Sequence, residues 1–243
     1  MERPDTAARG HSAVFVALAA FFVTALVVSN VIAVKLVETA DRVFPAGLVL
    51  FPLSYLLGDV LTEVYGYRTA RAVIWLAFAC NLLAVAAIQV AIALPAAPFW
   101  EDQEAYERVL GQTWRILGAS FAAYLVGELA NAYVLARMKL LTRGRWLWSR
   151  TIGSTLAGQG LDSLVFVTLA FAGAGAALAN PIVTSWAIKV GWEALATPLT
   201  YALVGYVKRR ERLDAYDAGV GFNPLPFGGG RDASSGGSPS ARR

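Results

Sequence analysis

Apolar residues in this chain fall in long, nearly unbroken runs, not in the short alternations that half-buried strands produce. Six such runs lie at roughly 12–34, 44–65, 70–94, 116–136, 152–172 and 182–207. Each is close to the about 20 residues that a helix needs to cross a hydrocarbon layer. In such a layer every backbone N–H and C=O must be paired within its own segment, so helix is the form these runs should take. The pattern predicts an all-α fold, a polytopic integral membrane bundle of six transmembrane helices. The second run is irregular. Pro45 and Pro52 interrupt it and Leu61 to Tyr67 is only half apolar, which leaves a helix broken at Pro52, or a partly re-entrant one, open. The first run is too long for the apolar core of a signal peptide and no cleavage-like polar break follows, so it is expected to stay as a span. Between the third and fourth runs, Asp102 to Leu110 reads as a short interfacial helix. Residues 1–11 read as an N-terminal tail, 12–218 as the transmembrane domain, and 219–243, rich in Gly, Pro and Ser, as a disordered tail unable to build a core.

Composition agrees: 57% of residues are hydrophobic, 16% are charged and the mean hydropathy is +0.53, values that call for a lipid bilayer as solvent. The single cysteine, Cys80, lies in an apolar run and the single histidine, His11, in the N-terminal tail. Disulfides, a Cys/His metal site and an intramembrane histidine base are thereby excluded, and no metal or cofactor is expected. The net charge of +4 could suggest nucleic acid, but the basic residues gather in short connections beside the apolar runs. One set of connections holds Arg3, Arg9, Arg68, Arg71, Arg137, Lys139, Arg143, Arg145, Arg150, Lys208, Arg209, Arg210 and Arg212. The alternate set holds Arg42, Arg108 and Arg115, with Lys35 at the polar end of the first run, together with the acidic Glu101, Asp102, Glu104 and Glu107. This bias is membrane topology, with both termini in the cytoplasm, and no nucleic-acid partner is expected.

Ionisable residues inside spans cost on the order of 3 kcal/mol each on insertion scales, so they must be paired or used. Here they recur at helical spacing: Asp59 with Glu63, Glu128 with Asn131, Gln159 with Asp162 and Ser163, Lys189 with Glu193. Separations of three or four stack side chains on one helix face. Stripes of this kind can satisfy one another only around a common interior, where a bundle can enclose a polar cavity. Asn30 and Lys35 in the first run, and Asn81 and Gln89 in the third, add neutral or terminal polar groups. Structural roles compete at each position. Lys189 and Glu193 can neutralise one another, Glu63 can serve topology or capping beside Arg68, and Asn81 and Gln89 can bond between helices. Glu128 and Asp162 have no opposite charge within a turn, which favours a functional role. Tyr55, Tyr124, Phe166 and Trp192 lie within a turn of these carboxylates, an arrangement suited to a flat heterocycle stacked on rings with its edge on acceptors.

The segment from Phe44 to Arg71 contains Phe-Pro-Ala-Gly, Phe-Pro-Leu-Ser-Tyr, Gly58-Asp59 and Thr62-Glu63, ending Tyr-Gly-Tyr-Arg-Thr-Ala-Arg. It closely resembles the signature of the queuosine precursor transporter family of bacterial vitamin-uptake-type carriers. The resemblance continues through Ser29-Asn30 with Lys35, Ile74-Trp75 with Asn81, Ala119-Ser120 with Ala123-Tyr124, and Ser154-Thr155 with Gln159 and Asp162-Ser163. It ends in Thr197-Pro198 with Tyr201, Asp214, Asp217 and Asn223-Pro224, so it covers nearly the whole chain. It implies uptake of a small-molecule deazapurine, 7-cyano- or 7-aminomethyl-7-deazaguanine, by a six-helix carrier of the bacterial inner membrane. The expected substrate contacts are Asp162, Gln159, Asp59, Asn30, Asn81, Glu128, Tyr124, Lys189 and Glu193. A homo-oligomer is left open.

Two other classes compete. A substrate-binding subunit of an energy-coupling-factor transporter would share the six helices but need an ATPase partner, against which the small residues Ala13, Ala17 and Ala20 could pack. An intramembrane aspartyl protease would use Asp59 and Asp162, but the sequence around Gly58-Asp59 lacks that family's motifs. For the topology, a reporter fused after Arg212 is expected to be active only as a cytoplasmic reporter; activity confined to the periplasm would contradict it.

Overall fold

The computed structural model describes residues 12–39, 42–111, 114–171, 179–217 and 223–224. Among them are six long helices: α1 (Ala13–Ile32), α2 (Phe51–Tyr65), α3 (Tyr67–Ala93), α5 (Trp114–Leu141), α6 (Leu147–Phe171) and α7 (Ala179–Glu211). A short α4 (Gln103–Leu110) stands where the interfacial helix was expected. The two terminal tails inferred from composition lie outside the described residues, apart from the pair Asn223 and Pro224.

The second apolar run folds differently from the expectation at its start. Residues 36–39 and 42–45 form the two arms of an antiparallel hairpin, β1 (Leu36–Thr39) and β2 (Arg42–Pro45), with Leu36 opposite Pro45 and Thr39 opposite Arg42. A 3₁₀ turn (Ala46–Val49) follows, and only then does α2 begin. Pro52 does not break that helix. It stands in the first turn, where its missing N–H has no intrahelical bond to lose, and the helix continues unbroken to Tyr65.

At 15 residues, α2 rises only about 22 Å. It is too short and too polar to face lipid, and it lies at the centre, packed by α1, α3, α5 and α7. Every residue from Ser54 to Val64 is buried. Its apolar side chains, among them Leu56, Val60 and Val64, join Phe22 and Leu26 of α1, Ile74 and Ala77 of α3 and Val204 of α7 in one core. Its polar side chains Ser54, Asp59, Thr62 and Glu63 are turned inward with them.

The outer surface is the reverse. Phe21, Leu83, Val90, Leu156, Leu164, Leu195 and Leu199 are exposed on the helices around the centre, the distribution of a protein dissolved in lipid. Ala13–Ile32, Tyr67–Ala93 and the stretch Gln103–Leu141 have the length and hydropathy of spans by themselves. The remaining helices, with α5, carry the polar stripes that the bundle encloses. Exposed aromatics mark both ends, Phe99 and Trp100 at the hairpin end, Trp146 and Trp148 at the other, where amphipathic rings sit at a membrane interface.

Two local features set the geometry of the interior. At the crossing of α5 and α6, a methyl group on Gly127 would come within 2.7 Å of the Asp162 Cβ, and one on Gly158 within 2.7 Å of the Asn131 Cβ. Only glycine lets the two backbones approach so closely, which sets Glu128 and Asn131 against Gln159 and Asp162. At the other end of α2, Gly66 alone joins it to α3, with φ +84°. The first N–H of α3, from Tyr67, donates to both carboxylate oxygens of Asp217, at 3.1 and 3.0 Å. A residue 150 positions away thus caps the helix.

Asp217 belongs to a strap that crosses this end of the bundle. The Ala215 N–H donates to the Val64 carbonyl at 3.0 Å. Further along, the Trp75 Nε1 donates to the Pro224 carbonyl at 2.9 Å and Arg71 donates to the Asn223 carbonyl. Ordered contacts therefore continue past the tail boundary at 218 that composition suggested.

Candidate functional site

Four helices contribute one carboxylate each to the interior: Asp59 from α2, Glu128 from α5, Asp162 from α6 and Glu193 from α7. None of the four is more than 5% exposed. Glu128 lies within electrostatic reach of Asp162, Glu193 and Asp59, and Asp59 of Glu193. The Asn131 Nδ2 donates to the Asp59 Oδ1 at 2.8 Å, and the Lys189 ammonium pairs with the Asp162 Oδ2. Tyr55 is buried beside Gln159 and within reach of Asp162 and Glu128, while Tyr124 lies next to Glu128. Several buried polar atoms here have no partner: Asp59 Oδ2, Asn131 Oδ1, Thr155 Oγ1, Gln159 Oε1, Ser163 Oγ and Glu193 Oε1. Unmatched groups are rare in a finished interior, because each costs about 1–3 kcal/mol. A concentration of them is what a site for a polar ligand requires.

Toward the hairpin end, a cleft between α1, α3 and α5 is lined by Asn30, Asn81, Gln89, Ser120 and Phe121 with aliphatic neighbours. Ser120 and Phe121 lie one turn before Tyr124 on α5, and Tyr124 one turn before Glu128. One face of α5 thus leads from the cleft to the carboxylates. Phe121 packs edge-on against Phe78 at 5.7 Å between ring centres.

The opposite end is closed by charge. Glu63 of α2 receives Arg150 of α6 at 3.1 Å, Lys208 of α7 at 2.8 Å and Lys139 of α5 at 3.5 Å. Lys139 and Lys208 also hold Asp214 of the strap, at 2.5 and 2.9 Å, and Lys139 donates to the Glu63 and Ala215 carbonyls. Burial raises the Asp214 carboxyl, but hydrogen bonds from Lys139 and Lys208 outweigh it and hold the group below the usual carboxylate range. Its contribution is therefore present above the ordinary carboxylate pKa and is lost as pH falls through the lowered value.

Comparison with known proteins decides what kind of molecule encloses this interior. Residues 45–203 match the family described as "Putative vitamin uptake transporter". The chain belongs to the queuosine precursor transporter family. A relative named "Probable queuosine precursor transporter" from Bacillus subtilis (strain 168) is 28% identical over 191 residues, 77% of this chain and 83% of the relative. One from Escherichia coli (strain K12), named "Queuosine precursor transporter", is 30% identical over 125 residues, 51% of this chain and 54% of its own. A Haemophilus influenzae relative is 29% identical over the same length, about half of each chain. No solved structure matches.

The matched stretch runs from the start of α2 through most of α7 and so contains every interior carboxylate of this membrane transporter. Of the residues singled out in the sequence, Asp59, Tyr124, Glu128, Gln159, Asp162, Lys189 and Glu193 are brought to the interior. Asn30 and Asn81 stand apart on the cleft. Lys189 reaches across to Asp162 on α6, so Asp162 does have a counter-charge, 27 positions away. Glu63 is not a surface topology residue beside Arg68; it is the hub of a buried ion network. Sequence spacing could not show that hub, because its cations come from three other helices. Thr155, also missed as a site residue, had only its family landmark to recommend it.

Replacing Glu63 by Gln leaves Arg150, with a side chain only 2% exposed, without its anion, and leaves Lys139 and Lys208 with Asp214 alone. Stranding buried charge costs about 3–5 kcal/mol. Purified Glu63→Gln protein is expected to show a clearly lowered thermal midpoint and poor monodisperse yield, and wild-type stability would contradict the role of the hub.

Proposed function

We propose that the protein takes up queuosine precursors, as free 7-deazaguanine bases in the cyano or aminomethyl form, across the bacterial inner membrane, with both termini in the cytoplasm. The observation that carries this is the enclosed set of unmatched acceptors between α2, α5, α6 and α7, in a chain whose relatives are named for such transport. A guanine-like edge presents a ring N–H and an amino group side by side, a pair of donors that carboxylate and amide oxygens accept. Asp162 and Gln159, one turn apart on α6, supply those acceptors, and Lys189 balances the Asp162 charge while leaving its Oδ1 available. Tyr55 and Tyr124 flank the base. Asn30 and Asn81 offer neutral contacts on the way in through the cleft.

The ion network and strap at the opposite end then form the cytoplasmic closure. A site open toward one side and closed toward the other is one half of an alternating-access cycle, completed when the cations on Glu63 part and the strap lifts. An interior enclosed by six helices leaves little room for a ribose, which favours a free base over a nucleoside.

Changing Asp162 to Asn replaces one acceptor oxygen by a donor, so one bond to the base is lost and a donor faces a donor. Affinity of the purified protein for the deazaguanine is expected to fall by about tenfold or more. Guanosine is expected to compete poorly. A folded Asp162→Asn protein that binds the base with unchanged affinity would overturn the assignment.

A further inference from the structure

We propose that Glu128 and Glu193, together with Asp59, form a subsite for a protonated amine, so that this carrier selects a cationic base over a neutral one of the same ring. The inference rests on the proposed function and adds what reads the substituent at the far edge of the ring.

Charge balance is the first argument. Four carboxylates from four helices share one buried interior, and among the described residues Lys189 is the cation placed on any of them, on Asp162. The groups facing the other three are neutral or anionic: Asn131 on Asp59, Tyr55 and Tyr124 near Glu128, and the carboxylates themselves. Arg150, Lys139 and Lys208 are committed to Glu63 and Asp214. The second argument is independent of charge. The Gln159 Oε1 and Ser163 Oγ, each on a side chain only 1% exposed, have no partner, and Gln159 is buried beside the Tyr55 that lies within reach of Glu128 and Asp162. Polar groups left open in this way mark a place for a ligand and not merely a packed acidic cluster.

An alkylammonium brings three donors and one positive charge, and the unmatched Asp59 Oδ2 and Glu193 Oε1 are acceptors. A cyano group brings only an acceptor, so its nitrogen would face carboxylate oxygens with nothing to share. In this arrangement Asp162 and Gln159 hold the guanine-like edge, and the α2, α5 and α7 carboxylates hold the amine.

The test measures binding of the aminomethyl and the cyano base to the purified full-length protein, as wild type, Glu128→Gln and Glu193→Gln. The aminomethyl base is expected to bind the wild type about tenfold or more tightly than the cyano base. Each Gln variant should lose most of that advantage while binding the cyano base at least as well as the wild type does, and a monodisperse profile of the purified variant checks that it is folded. Equal affinity of the two bases for the wild type, or variants that weaken both alike or neither, would overturn the subsite. If neither base binds the wild type, the substrate assignment itself fails.

Discussion

A polar group cannot be left facing hydrocarbon, and α2 is the element that makes this constraint govern the whole bundle. It carries Ser54, Asp59, Thr62 and Glu63 on a helix of 15 residues, and it is buried along nearly its full length. The other long helices each expose an apolar side outward. Three of them bring α2 polar partners: Asn131 and Glu128 from α5, Arg150 from α6, and Lys208 and Glu193 from α7. The close crossing of α5 and α6 at Gly127 and Gly158 follows the same logic, since it places Glu128 and Asn131 opposite Gln159 and Asp162 with no room for lipid between them.

The two ends of α2 solve their polar problem in different ways. At Glu63 the charges are matched, with cations from three helices and a second carboxylate from the strap. At Asp59 and the neighbouring carboxylates, matching stops short. Asp59 has a single amide donor on one oxygen, Glu193 has an open oxygen, and the Gln159 Oε1 and Ser163 Oγ have no partner. The Glu63 carboxylate has three cations on it, whereas among the described residues Asp59, Glu128 and Glu193 have none. That contrast supports reading the Glu63 end as a closure and the Asp59 level as the site.

Much of this was legible in the order of residues. Apolar runs located the six long helices, and separations of three and four put Asp59, Glu128, Asp162 and Glu193 on inward faces. What remained hidden depended on long-range pairing. The start of the second run looked like span, because Phe44, Val49 and Leu50 are as apolar as a helix interior, yet the hairpin and the 3₁₀ turn take those residues and Pro52 opens the helix that follows. Lys189 offered two carboxylates, one a turn away on its own helix and one on α6, and spacing alone could not choose between them. Arg150, Lys139 and Lys208 looked like topology signals at the ends of spans, and only the packing of four helices and a strap turns them inward onto Glu63. Asp217 capping α3 across 150 residues has no local signature at all.

The central claim is that this bundle carries a free deazaguanine base across the membrane. Its most direct measurement is accumulation of labelled 7-aminomethyl-7-deazaguanine by cells that lack their own carrier and express this chain. The account predicts uptake well above that of empty-vector cells, suppressed by excess unlabelled base and little affected by guanosine. Uptake no greater than in empty-vector cells, with the protein present in the membrane, would contradict it.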